Sequence, residues 1–125
     1  MSFGRGFLPL GQSFADRLGL PLRPARDGSL SFTFASTGTL SLTPAPDGSR
    51  VFVGLARPAR RADGDRLQRA LMQAGHQAST GRVVRVGLAA DDSLHLVTDL
   101  ADSELDLPSL DACLQELSGL HDQIA

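Results

Sequence analysis

Three histidines and one cysteine are the side chains of this sequence best suited to acid–base, metal or nucleophilic chemistry. His76 stands beside a glycine, His95 lies on the polar side of an alternating segment, and His121 is near the end of the chain. None stands at metal-ligand spacing from another ligand type, so a structural or solvated role is favoured for each. Cys113 falls in an apolar stripe, where a thiol behaves as a small buried hydrophobe. The sequence therefore predicts no catalytic residue, no metal site and no cofactor.

Acidic residues of the second half are candidates for calcium binding. They are Asp91, Asp92, Asp99, Asp102, Glu104 and Asp106. Their spacing lacks the twelve-residue loop with a central glycine and a terminal bidentate glutamate that binds calcium. A solvated acidic face is the favoured interpretation.

Arginine supplies every positive charge, because the chain has no lysine. Residues 1–61 carry eight arginines and three acids, whereas residues 62–125 carry four arginines and eleven acids. The clustered Arg57, Arg60 and Arg61 could bind phosphate or nucleic acid, but no aromatic or glycine pattern accompanies them, so a solvated loop is favoured. The net charge of −2 also disfavours a nucleic-acid partner, and part of the surface should be distinctly negative.

The length of 125 residues predicts one domain, residues 1–125, large enough to bury a core without stabilising cross-links. A single cysteine excludes an internal disulfide framework. No apolar run approaches the ~20 residues of a membrane span, and the first ten residues lack the apolar core of a signal peptide. We expect a soluble protein of a reducing cytosol with no membrane insertion.

Hydrophobic periodicity predicts the elements that must position these residues. Apolar residues alternate in five segments, which indicates strands over residues 30–34, 39–43, 51–55, 83–88 and 94–98. Spacings of three and four predict helices over residues 9–18, around residues 67–74, and after Pro108, where a leucine-rich stripe ends at Ile124. We predict an α+β fold of order α-β-β-β-α-β-β-α, with three helices on one face of a twisted antiparallel sheet.

Several local patterns extend this order into a resemblance. The opening helix ends in Arg17-Leu18-Gly19-Leu20, and the second helix carries Leu67, Ala70, Leu71 and Met72. Gly81 precedes the strand at 83–88, Leu94-His95-Leu96 follows, and acidic residues 102–107 lead into the leucine helix. Over nearly its whole length the chain thus resembles the class I type III secretion chaperones, which bind secreted effectors.

The resemblance implies a homodimeric, non-catalytic chaperone of the bacterial cytoplasm that keeps an effector segment soluble and secretion-competent. It places the dimer interface on the middle helix and the strand after it, where small side chains would allow a twin helix to approach closely. The expected interface residues are Leu67, Ala70, Leu71, Ala74, Val83 and Arg85. The secretion ATPase is a further candidate partner.

The effector segment should wrap around the outside as extended chain, adding a strand to a free sheet edge and inserting apolar anchors. The expected effector-binding residues are Leu10, Phe14, Leu18, Phe32, Phe34, Leu42 and Phe52. This assignment predicts that Phe14→Asp leaves the fold intact while abolishing effector binding.

Two other functions stay open from the residues alone. A small α+β domain that binds or converts a ligand would need polar groups converging in a pocket. A nucleic-acid module would draw on the arginines around residue 60 and lose affinity steeply with salt.

Overall fold

The computed structural model describes residues 7–58, 64–78, 80–89 and 91–124. Within these ranges the helices are α1 (Phe7–Leu18), α2 (Gly64–Gln73) and α3 (Leu107–Ile124). The strands are β1 (Arg23–Pro24), β2 (Leu30–Phe34), β3 (Gly38–Pro44), β4 (Arg50–Pro58), β5 (Gly75–His76), β6 (Val83–Leu88) and β7 (Ser93–Ala101). A 3-10 turn, Asp102–Glu104, leads from β7 to α3. None of the described helices is both long and apolar enough to span a bilayer.

The strands form one antiparallel sheet in the order β1-β2-β3-β4-β7-β6-β5. Its centre is the pairing of β4 with β7, which runs from Arg50 opposite Ala101 to Pro58 opposite Ser93. The predicted α+β class and the order of the three helices and five principal strands are confirmed. The two additional strands, β1 and β5, have only two residues each, too few to show alternation in the sequence.

Alternation gives the sheet one apolar and one polar face. Leu40 of β3, Leu55 of β4 and Leu96 of β7 lie side by side in the register and are buried. The residues between them point to the opposite face, which on β2 and β3 consists of serine and threonine. The apolar face is therefore the floor of the core, as the sequence predicted.

Two helices cover this floor directly. The Phe14 ring of α1 packs edge-on against Phe32 of β2, with the ring centroids 5.3 Å apart. Gly11 allows that approach, because a Cβ at this position would lie 2.3 Å from Leu30 Cδ1. The buried stripe of α3 lies across β4 and β7, and α2 packs beside α3.

The start of α3 follows its local sequence. The Asp106 carboxylate accepts a hydrogen bond from the Ser109 backbone N–H at 2.7 Å, which caps the helix. Hydrogen bonds from the Ser109 side chain and then from its backbone N–H lower the pKa of Asp106 below its ordinary value. Pro108 occupies the first turn, where its missing N–H costs nothing.

Candidate functional site

Three of the seven residues expected to bind an effector belong to the core. Phe14, Phe32 and Leu42 have essentially no exposed surface, and the Phe14 ring of α1 packs directly on Phe32 of β2. A side chain with no exposed surface offers nothing to a partner, so these three are corrected from contact residues to core residues. The expectation that Phe14→Asp spares the fold is wrong for the same reason, since a charge would replace a fully buried ring.

The other four residues keep exposed surface but do not form one patch. Leu10 and Leu18 of α1 and Phe34 of β2 are half-buried and pack against the rim of the core. Phe52 is also half-buried, but it points to the polar face of the sheet, opposite to its neighbours Val51 and Val53 on β4. The structure therefore places a shallow apolar rim at α1 and β2, with Phe52 on the other side.

That rim lies beside an unpaired stretch of sheet edge. The short strand β1 pairs only with Leu30 and Ser31 of β2. From Phe32 to Phe34, no described residue pairs with the outer edge of β2. Unpaired backbone N–H and C=O groups at such an edge can accept an added strand.

The expected dimer interface divides into exposed and buried residues. Leu71 is 60% exposed and Val83 is 41% exposed, and Arg85 is exposed as well. Two neighbours absent from the expected set are also exposed, namely Met72 at 77% and Leu88 at 54%. The consecutive pair Leu71-Met72 did not reveal this exposure, because neighbouring helical residues point about 100° apart and can both be buried, as Cys113 and Leu114 of α3 are.

The small residues of α2 face their own molecule. Ala70 is fully buried, and with Ala74 it borders an apolar gap lined by Val84, Leu120 and Ile124. Leu67 is half-buried against the same core. Ala70 is therefore corrected to a core residue, and the argument that small residues admit a twin helix does not apply to it.

The outer edge of β6, near α2, is a second stretch of unpaired sheet edge. β5 pairs with β6 only at Val83 and Val84, so the outer edge from Arg85 to Leu88 has no partner among the described strands. The exposed apolar side chains of α2 and β6 thus accompany unpaired backbone, as the β2 rim does at the other end of the sheet.

Arg57 is not a solvated loop residue. Its Nε donates to the Thr37 carbonyl at 2.6 Å, while Nη1 and Nη2 donate to Asp122 and Ser118 at 2.7 and 2.9 Å. The guanidinium thereby ties the β2–β3 turn to α3 and is not offered to phosphate. Arg60 and Arg61, the other members of the expected basic cluster, lie outside the described residues.

No described cluster has the geometry of a catalytic or metal centre. Ser93 Oγ donates to Asp91 and lies 2.9 Å from His95 Nε2, so the hydroxyl bonds a weakly basic carboxylate instead of being activated by the imidazole. Burial raises the pKa of the Cys113 thiol to about 11. In the described ranges, no three His, Cys, Asp or Glu side chains are grouped to hold a metal ion.

The fold is shared with solved structures that include a type III secretion chaperone. The Yersinia pestis type III secretion chaperone SycH, in complex with a stable fragment of YscM2, matches with a TM-score of 0.68 and 19% identity, over 94% of this chain and 98% of that one. The ExsC–ExsE complex gives a TM-score of 0.75 and 20% identity, over 97% and 92%. The HopA1–SchA chaperone–effector complex gives 0.66 and 18%, over 94% and 89%. At 18–20% identity, these likenesses show that the fold is shared.

The family follows from the sequence. Residues 9–125 match the family model of the type III secretory system chaperone SycN, and the chain belongs to that family. A comparison with curated proteins gives no match. The resemblance inferred from the element order is thereby confirmed.

Proposed function

We propose that this chain is a homodimeric, non-catalytic chaperone of the bacterial cytoplasm. It binds the chaperone-binding segment of a type III secreted effector and keeps that segment soluble and secretion-competent. The secretion ATPase is included as a later partner of the loaded complex. The observation that carries the proposal is that this family member has two unpaired sheet edges, each flanked by exposed or half-exposed apolar side chains.

The effector is assigned to the β2 edge. An extended segment can add a strand beside Phe32–Phe34 and place apolar side chains against Leu10, Leu18 and Phe34. The buried Phe14 and Phe32 support this rim from below without touching the partner. Phe52 lies on the opposite face, where a wrapping segment would reach it only after crossing the sheet edge.

The second copy is assigned to α2 and β6. Leu71, Met72, Val83 and Leu88 expose apolar surface on two adjacent elements, and Arg85–Leu88 offers unpaired backbone. An isologous interface would use this surface twice and bury it in both protomers. Assigning the two partners to opposite ends of the sheet lets them bind simultaneously.

Co-purification with a secreted effector tests the assignment at β2. Phe34→Asp puts a charge on the apolar rim and should weaken effector binding by at least about tenfold, because the anchor would meet an unpaired carboxylate. The matched control is Thr33→Asp, which adds the same charge to the exposed opposite side of the same strand. Circular dichroism must show both variants folded.

Equal effector affinity for the two folded variants would contradict the β2 assignment. If neither the wild type nor the control retains any effector from the native bacterium's secreted set, the chaperone function itself fails.

A further inference from the structure

His121 is the one fully buried histidine of the described chain, and only one of its ring nitrogens is bonded. The side chain projects from α3 toward β4, and its Nε2 lies 2.8 Å from the Leu55 carbonyl oxygen. A carbonyl only accepts, so Nε2 carries the proton and donates it. Nδ1 is buried too and has no hydrogen-bond partner in the described part of the chain.

The charges that face this imidazole disfavour a second proton. Arg57 faces it from β4 and Arg66 from α2, and both repel an imidazolium. Asp122, the neighbour in α3, acts in the opposite direction, but its side chain is 71% exposed and paired with Arg57. Burial is the largest effect, and with the two arginines it lowers the pKa of His121 even though the bond to Leu55 favours the charged form.

We propose that His121 is an acid-sensitive latch, in which the neutral imidazole holds the last turns of α3 on β4 and protonation at Nδ1 releases them. A proton there would place a charged, unbonded N–H inside the core. The release would extend to α2, because the Arg69 guanidinium donates through Nε and Nη2 to the Ile124 carbonyl at the end of α3. This latch does not depend on the proposed chaperone function.

The sign and the pH window follow from linkage. His121 binds its proton with a pKa of 6.5 when unfolded and with a lower pKa when folded, so the unfolded chain takes up more protons below pH 6.5. The contribution of neutral His121 to the stability of the fold is fully present above pH 6.5 and is lost as the pH falls below that value. Between pH 7.5 and 5.5 the folding equilibrium constant should drop by up to about tenfold.

Hydrogen-bonded carboxylates do not act in this window. The pKa of Asp27, Asp47 and Asp91 is lowered by bonds from the serine two residues further on, and that of Asp106 by bonds from Ser109. Their contributions are lost only as pH falls below the ordinary value of 3.8.

Urea unfolding at pH 7.5, 6.5 and 5.5, at one fixed protein concentration, tests the latch in three proteins. The folding constants of the wild type and of the exposed-histidine control His76→Gln should each fall from pH 7.5 to 5.5, by up to about tenfold. His121→Gln keeps an amide donor but cannot titrate, so its constant should change by less than about twofold. A flat wild-type profile, or a His121→Gln profile that falls as steeply as the wild type, overturns the proposal.

Wild-type NMR decides the question even where His121→Gln does not fold. The His121 imidazole should titrate below the ordinary histidine range. After correction for intrinsic rates, backbone amides in the last two turns of α3 should lose hydrogen-exchange protection by up to about tenfold at pH 5.5. An imidazole that titrates at 6.5, or protection that does not change in those turns, overturns the latch.

Discussion

Phe14 shows how one side chain joins a helix to the sheet. Its ring meets Phe32 at 86°, the edge-to-face arrangement that aromatic quadrupoles favour, and the Arg17 guanidinium lies 5.7 Å from the ring centroid. The ring is fully buried, so its contribution is to stability rather than to a partner.

Phe14→Ala should lower the free energy of unfolding by about 3–5 kcal/mol, because it removes buried apolar surface and leaves a cavity beneath α1. The control Leu8→Ala changes a half-exposed residue of the same helix and should cost less than about 1 kcal/mol. Urea unfolding monitored by circular dichroism measures both. Similar losses in the two variants would show that α1 is not docked through Phe14.

Arg57 marks the limit of what residue types reveal. Its guanidinium bonds Thr37, Ser118 and Asp122, which lie 20, 61 and 65 positions away in the chain. A cluster of arginines in the sequence shows where positive charge lies, but it does not show these distant acceptors. The two interpretations of Arg57 from the sequence, a solvated loop residue or part of a phosphate site, therefore both missed its role inside the fold.

At the scale of elements, periodicity predicted the strands and α3 well, because each is long enough to repeat its pattern several times. It also predicted which face each side chain occupies, as with Phe52 opposite Val53. It could not predict which apolar faces a helix covers. That is why Phe32 and Leu42 proved to be core while Met72 and Leu88 proved to be exposed.

The exposed apolar surface of α2 and β6 leads to a prediction about assembly. Leu71→Asp should weaken self-association at least about tenfold while the monomer stays folded, because the charge would be buried only in the dimer. Leu8→Asp is the matched control, with the same change at a comparably exposed leucine of α1. Light scattering coupled to size-exclusion chromatography, without effector, gives the mass.

A wild type that is monomeric at tens of micromolar would refute the homodimer. A Leu71→Asp variant that stays as dimeric as Leu8→Asp would instead move the interface away from α2.

At the scale of the whole molecule, the basic first half and the acidic second half of the sequence are joined by ion pairs. Three ion pairs link described residues that are distant in the chain, namely Arg17 with Asp111, Arg50 with Asp99, and Arg57 with Asp122. Each joins an arginine of residues 1–61 to an acid of residues 62–125. In each pair at least one of the two side chains is 44% exposed or more, so the pair contributes little individually. Their common direction therefore affects the encounter of the two halves more than the final stability.

This division of charge follows the architecture of the sheet. The first half supplies β1 to β4 and the second supplies β5 to β7, and the halves meet along the full length of β4 and β7. Each half alone would expose a long central strand edge and the apolar face that α3 spans. Neither half alone therefore has a complete core.

Fragments 1–61 and 62–125 should therefore be unfolded when separate and should recover the circular dichroism of the intact chain when mixed. Their association rate should fall by about tenfold or more between 20 and 500 mM salt, because a fragment of net charge +5 meets one of −7. Stopped-flow fluorescence of a dye on one fragment measures the rate. A native-like spectrum of either fragment alone would show two folding units, and a rate independent of salt would show that charge does not guide the halves together.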